Sequence, residues 1–302
     1  MKSLLLTFML ALSLASSPLT TALANDTDLK KVIRGLTETH ILMVKSTMVY
    51  EMLKLDGGNP TYSTALSQIV ERIEDLGGSY RNLSLDADIT DKLRQLSRSV
   101  DTFLEELHVN QQEIAQGGYE QYALVDDMYE QRDKAKELAT SIIDMIKATN
   151  SVTIDPLVQE GRDLANTLQT LSANYIEQAS SISGSALRGG ENNNIPIDQL
   201  ANDITKRLAQ YNPQSEKVIG LNAKVRDVKN KWAFLKNSMI NFKTDTVPYL
   251  TYHYSDKMVD DLLSIADMYE NKDQQAIEAP SFSMEPSGDT IPLPAGIPAA
   301  QN

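Results

Sequence analysis

The feature that most constrains this chain is an unbroken hydrophobic seam over residues 218–242, followed after Thr246-Val247-Pro248 by a second helical stripe that runs to residue 269. Val218, Leu221, Val225, Val228, Trp232, Leu235, Met239 and Phe242 recur at steps of three and four. That period puts all of them on one helix face and packs the face into a partner. In the second run Leu250, Tyr254, Met258, Leu262, Ile265 and Tyr269 keep the stripe, while Asp256, Lys257, Asp260 and Asp267 lie off it. Two such seams need neighbours, so the chain has to be an all-α assembly around shared apolar surface.

The same reading extends backwards through the 302 residues, of which 41% are hydrophobic, enough to build a sizeable core. Residues 29–55 carry Leu29, Val32, Leu36, Thr39, Met43, Ser46, Tyr50 and Leu53 at core spacing. They add Ile33, Ile41, Leu42, Val44, Met48 and Met52 on further faces. A helix apolar on more than one face sits among several neighbours or carries an interaction surface. Asp56-Gly57-Gly58-Asn59-Pro60 is a stop and restart. A short helix with Leu66, Ile69, Ile73 and Leu76 follows, expected to end at Gly77-Gly78. The next stripe runs from Ile89 through Leu93, Leu96, Val100, Phe103 and Leu107 to Ile114, with Asn110 at a seam position where a buried amide fixes register. Gly117-Gly118 permits a reversal, and a fourth helix carries Val125, Met128, Arg132, Ala135, Ala139, Ile142 and Ile146.

After Asp155-Pro156, an N-cap followed by a first-turn proline, the pattern starts again. Leu157, Leu164, Leu168, Leu171, Tyr175 and Ile182 mark a long helix, and Ile197, Leu200, Ile204, Leu208 and Tyr211 a short one. The two seams described first complete the set. The order long, short, long, long thus occurs twice, which predicts two tandem four-helix up-down bundles over 25–150 and 151–275. No sustained alternation signals a strand. Residues 276–302 turn to Pro, Ser, Gly and Ala with few core formers, the composition of a disordered tail.

Residues 1–24 read as a signal peptide: Lys2, an apolar run over 4–14, and a small-residue cleavage site at Ala22-Leu23-Ala24. Export to the periplasm with cleavage after Ala24 follows. Zero cysteines remove disulfides, thiolate metal sites and c-type haem from consideration. A net charge of −13 disfavours nucleic acid and anionic membranes as partners.

Chemistry is sparse. Glu105-Glu106-Leu107-His108 holds one Glu-x-x-His, but a di-iron bundle needs two of them and two further glutamates. His40 shares a helix with Met43, Met48 and Met52, a set that could ligate b-type haem but more commonly fills a core. No catalytic residue, metal or cofactor is expected. Lys217, Lys224 and Lys231, and likewise Lys229, Lys236 and Lys243, recur at seven residues and flank the seam of the seventh helix in two basic rows. They are expected to meet carboxylates such as Asp256, Asp260 and Asp261 across the bundle. An anionic partner surface at Lys229, Lys236 and Lys243 is the functional alternative.

Lys231-Trp232-Ala233-Phe234, then Val247-Pro248-Tyr249-Leu250 and Tyr254-Ser255-Asp256-Lys257, resemble the closing helices of the periplasmic helical sensor modules of type IV pilus chemotaxis transducers and nitrate-responsive kinases. The resemblance implies a non-catalytic sensor-like module that binds a small ligand or a partner protein, such as a membrane sensor, and signals by contact. The family's first helix carries arginines suited to a small anion. The corresponding stretch here, Thr37 through Lys45, has His40 and Lys45 near those positions, which makes them the ligand-binding residues that the resemblance implies. The alternatives are a purely structural helical spacer or assembly factor, and a haem- or metal-binding bundle.

Overall fold

The computed structural model describes residues 26–81, 85–117, 122–150, 152–181, 195–215, 218–242 and 247–272. The expected signal peptide, the Pro-rich tail, Gly118, Ile182, Lys217 and Lys243 lie outside them. The described residues form eight helices and no strand: α1 Asp26–Leu55, α2 Pro60–Arg81, α3 Ala87–Ala115, α4 Tyr122–Asn150, α5 Pro156–Ser180, α6 Ile197–Gln210, α7 Leu221–Ile240 and α8 Pro248–Glu270.

Local chemistry sets most of the boundaries. Gly57 and Gly58 adopt left-handed φ of 56° and 83°, and the Gly58 N–H caps α1 by donating to the Leu53 carbonyl at 2.9 Å. The Asp155 carboxylate accepts from the Leu157 N–H at 2.9 Å, with Pro156 in the first turn of α5. The α2 stop expected at Gly77-Gly78 does not occur. Neither glycine takes a positive φ, and Gly77 is buried, so the helix continues to Arg81.

α1 is the hub. It packs along α2, α4 and α5 and touches α3, while α5 packs along α1, α6 and α8. The two four-helix halves therefore meet side by side through α1 and α5, and one continuous hydrophobic cluster takes buried residues from all eight helices. This explains why α1 is apolar on several faces: Ile33, Leu36, Ile41, Met43, Met48, Met52 and Leu53 are each at most 2% exposed. The α7 seam is buried as its spacing requires, with Trp232 at 4% exposure and its indole N–H donating to the Thr205 hydroxyl at 3.0 Å.

α8 departs from its expected stripe in its first two turns. Leu250 is exposed and Tyr254 only half-buried, while Thr251 and Ser255 are fully buried. α8 packs most extensively on α5, and small side chains on the inward face of a helix permit close packing. Leu250 and Tyr254 turn outward, and the Tyr254 ring lies tilted against the exposed Phe234 with ring centroids 5.1 Å apart.

Candidate functional site

The residues singled out in the sequence go to separate places. His40 is 7% exposed at the junction of α1, α4 and α5, against Arg132, Asp133, Lys136 and Asn174 around a void of about 10 Å³. Burial, reinforced by Lys136 and Arg132, pushes its imidazole down to about 3, so it is neutral at ordinary pH and offers no cation to an anion. Lys45 turns the other way, to an ion pair with Asp256 of α8. His40 and Lys45 therefore share no site. Lys224 and Lys231 reach Asp261 at 3.1 and 2.7 Å, as the basic rows suggest, whereas Asp256 is taken by α1 instead. Lys229 and Lys236 are half-buried on the opposite flank of α7 and show no ion pair among the described residues. Met43, Met48 and Met52 fill the core.

Between the two halves lies a buried polar chain. The Arg132 guanidinium, 4% exposed, donates to Asp133 at 2.9 and 3.0 Å and to the Thr47 hydroxyl at 3.3 Å, and stands over the Tyr129 ring at 4.6 Å. Tyr129 donates its hydroxyl to Glu51 at 3.0 Å; Lys54 pairs with the other Glu51 oxygen at 2.8 Å, and the Ser180 hydroxyl donates to that oxygen too. Burial, then Glu177 and Glu51, drives the Tyr129 phenol well above its ordinary range, so it stays a donor. A network of this kind ties α1, α4 and α5 into one arrangement. Arg132 had a seam position in the sequence, but helical spacing gives no reason for an arginine there.

A different feature joins the halves at the surface. Leu29, Arg34, Leu36 and Thr39 of α1 reappear with the same internal spacing as Leu157, Arg162, Leu164 and Thr167 of α5. Arg34 and Arg162 are thus equivalent positions of the two repeats, and both converge on one residue of α8. Arg34 pairs with Asp267. Arg162, only 2% exposed, reaches Asp267 at 3.4 Å and donates to Glu270 at 2.6 Å. Loss of water pushes the Asp267 carboxyl up, although both arginines pull it down. Around this convergence α1, α5 and α8 leave a groove of about 360 Å³, walled by Thr37, Glu38, Asp260, Leu263, Ser264 and Met268. Local periodicity could not reveal it. The repeated Leu-x-x-x-x-Arg-x-Leu-x-x-Thr spacing was the available signal.

Two other features bear on chemistry. A second groove of about 560 Å³ between α2 and α3 is lined by Glu71, Glu74, Asp101, Glu105 and His108. Nearby, Glu106 is pushed up to about 7 by burial and by Asp127, Glu105 and Glu130. Among the described residues no group of three or more His, Asp or Glu is arranged to hold a metal ion. No described helix is long and apolar enough to cross a membrane. The chain matches no protein-family model, no curated protein and no solved structure.

Proposed function

We propose that this chain is an exported, non-catalytic, sensor-like binding module that takes a small ligand in the groove between α1 and α8 and passes the consequence to a partner protein by contact. The observation that carries this reading is the convergence of Arg34 and Arg162, equivalent residues of the two repeats, on Asp267 over an open cleft. Guanidinium–carboxylate clusters beside a cleft are the kind of fixed polar groups that orient a ligand. A volume of about 360 Å³ lies at the small end of the range of about 300–1,000 Å³ for ligand clefts. The likeness of the α7–α8 region to periplasmic sensor modules points the same way. Lys229 and Lys236, without an ion pair among the described residues, and Phe234 exposed on the same helix supply a surface for the partner.

A structural spacer is the second reading, favoured by the single hydrophobic cluster running through all eight helices. A thermal-shift screen of the purified protein against a library of small metabolites separates the two. The binding reading expects at least one compound to raise the melting temperature of the wild type and not of Arg34→Ala, a half-exposed position outside the core. A library that leaves the melting temperature untouched supports the spacer.

A further inference from the structure

The groove has two chemically different ends. α1 and α8 both lie on α5 but meet each other mainly through charged side chains, and two ion pairs bridge them: Arg34 with Asp267, and Lys45 with Asp256. The pairing runs antiparallel, so Asp260 lies between the bridges on α8. At the Arg34 end, Arg162 forms the floor; its Nη2 is held by Glu270 and Asp267, and its Nη1 is buried with no acceptor among the described residues. A buried charged donor without an acceptor is costly, and it marks where an anionic oxygen would be accommodated. At the other end Asp260 has no ion-pair partner among the described residues, whereas Glu38 across the groove is held by Arg72 at 2.7 Å. Desolvation raises the Asp260 carboxyl, with Asp256 and Asp261 adding to the rise and Lys45 offsetting only part of it. Leu263 and Met268 supply apolar wall along the groove.

A guanidinium nitrogen without an acceptor at one end and a carboxylate without a cation at the other, both among the described residues, select against simple ions. A phosphate or nitrate leaves Asp260 without a cation; a plain amine leaves the Arg162 Nη1 unsatisfied. Both needs are met only by a zwitterion, and its length can be read from α8. Asp260 and Asp267 are two turns apart, about 10 Å at 1.5 Å per residue. Asp267 marks the level of the two arginines that would hold the ligand's carboxylate, so allowing about 2.8 Å for a charged hydrogen bond at each end leaves about 5 Å between the ligand's own charges. That is too far for an α-amino acid, whose two charged groups share a carbon.

We propose that the groove binds a linear ω-amino carboxylate, with its carboxylate at Arg34 and Arg162, its ammonium at Asp260 and its methylenes against Leu263. This rests on the binding-module reading above and names the ligand class for the same groove. Titration calorimetry of the purified protein with glycine, 4-aminobutanoate, 5-aminopentanoate, 6-aminohexanoate, pentanoate and pentylamine tests it. Affinity is expected to peak at 4-aminobutanoate or 5-aminopentanoate and to be at least tenfold weaker for glycine, pentanoate and pentylamine. Asp260→Asn and Arg34→Ala, both at solvent-exposed positions, should each weaken the best compound tenfold or more while leaving the circular dichroism spectrum unchanged. Affinity independent of chain length, or equal in the two variants, overturns the proposal. If none of the six binds but a library compound does so in an Arg34-dependent way, the ligand class is wrong and the binding module stands. If no compound of either set binds, both fall.

Discussion

Replacing Glu106 by Gln is expected to stabilise this protein, and by an amount that depends on pH in a defined way. Glu106 sits half-buried on α3 facing Asp127 and Glu130 of α4, with Glu105 beside it, and its Oε2 is buried without a hydrogen-bond partner among the described residues. Burial and these like charges raise its carboxyl from 4.5 to about 7 in the folded protein. A carboxyl with a raised folded-state value favours folding when protonated and opposes it when ionised. The contribution is therefore present below pH 4.5 and is lost as pH rises through 7. Taken whole, that interval corresponds to about 3 kcal/mol; solvent screening at a half-buried site reduces the expected effect to about 1–2 kcal/mol. The glutamine keeps the shape and removes the charge. Urea unfolding of both proteins at pH 8 should show Glu106→Gln more stable by about 1–2 kcal/mol, with the difference shrinking toward zero between pH 7 and pH 4.5. A glutamine variant that is neutral or less stable at pH 8, or a difference that does not change with pH, refutes the reasoning.

Trp232→Ala removes a core indole and leaves the Thr205 hydroxyl without its donor, and should cost about 3–5 kcal/mol by chemical denaturation; native tryptophan emission should be blue-shifted and resistant to iodide. Lys236→Ala, on the solvent flank of the same helix, should cost less than about 1 kcal/mol, so equal losses for the two would place the seam wrongly. At Gly161 an added Cβ would stand 2.4 Å from the Tyr211 hydroxyl and 3.3 Å from the Ala266 methyl, so Gly161→Ala should cost about 1–3 kcal/mol. The Tyr211 hydroxyl has no partner among the described residues. Tyr211→Phe alone should therefore be close to neutral and should restore part of the loss in the double variant; purely additive effects would contradict this packing.

The sequence shows the helices more readily than it shows how they assemble. Steps of three and four found all eight, because an apolar face is a local property that survives in one dimension. Val225, Val228, Trp232, Leu235 and Met239 are buried as their spacing required, and Asn110 is fully buried at its seam position. Two departures have local causes. The glycines of α2 kept helical φ, and in the first turns of α8 Thr251 and Ser255 took the inward positions. The placement of α1 against α5 depends on pairing two faces more than 100 residues apart, which no local period encodes. α1's surplus of apolar residues indicated several neighbours without naming them. For the same reason the anion-site positions implied by family likeness, His40 and Lys45, were separated: His40 was drawn into the α4 junction and Lys45 into a bridge to α8. The arginines that do converge, Arg34 and Arg162, lie within a repeated spacing that is visible only when the two halves are aligned on each other.

The most direct test of a ligand groove between α1 and α8 uses the methionine methyls. Met268 lines the groove, whereas Met239 is fully buried in the α7 seam. In protein labelled at the methionine ε-methyl carbons, titration with 5-aminopentanoate, or with the strongest compound from the library screen, should shift the Met268 resonance with the midpoint found by calorimetry and leave Met239 in place. A compound that stabilises the protein without moving Met268, or that moves Met239 instead, would put the binding site elsewhere and contradict the account.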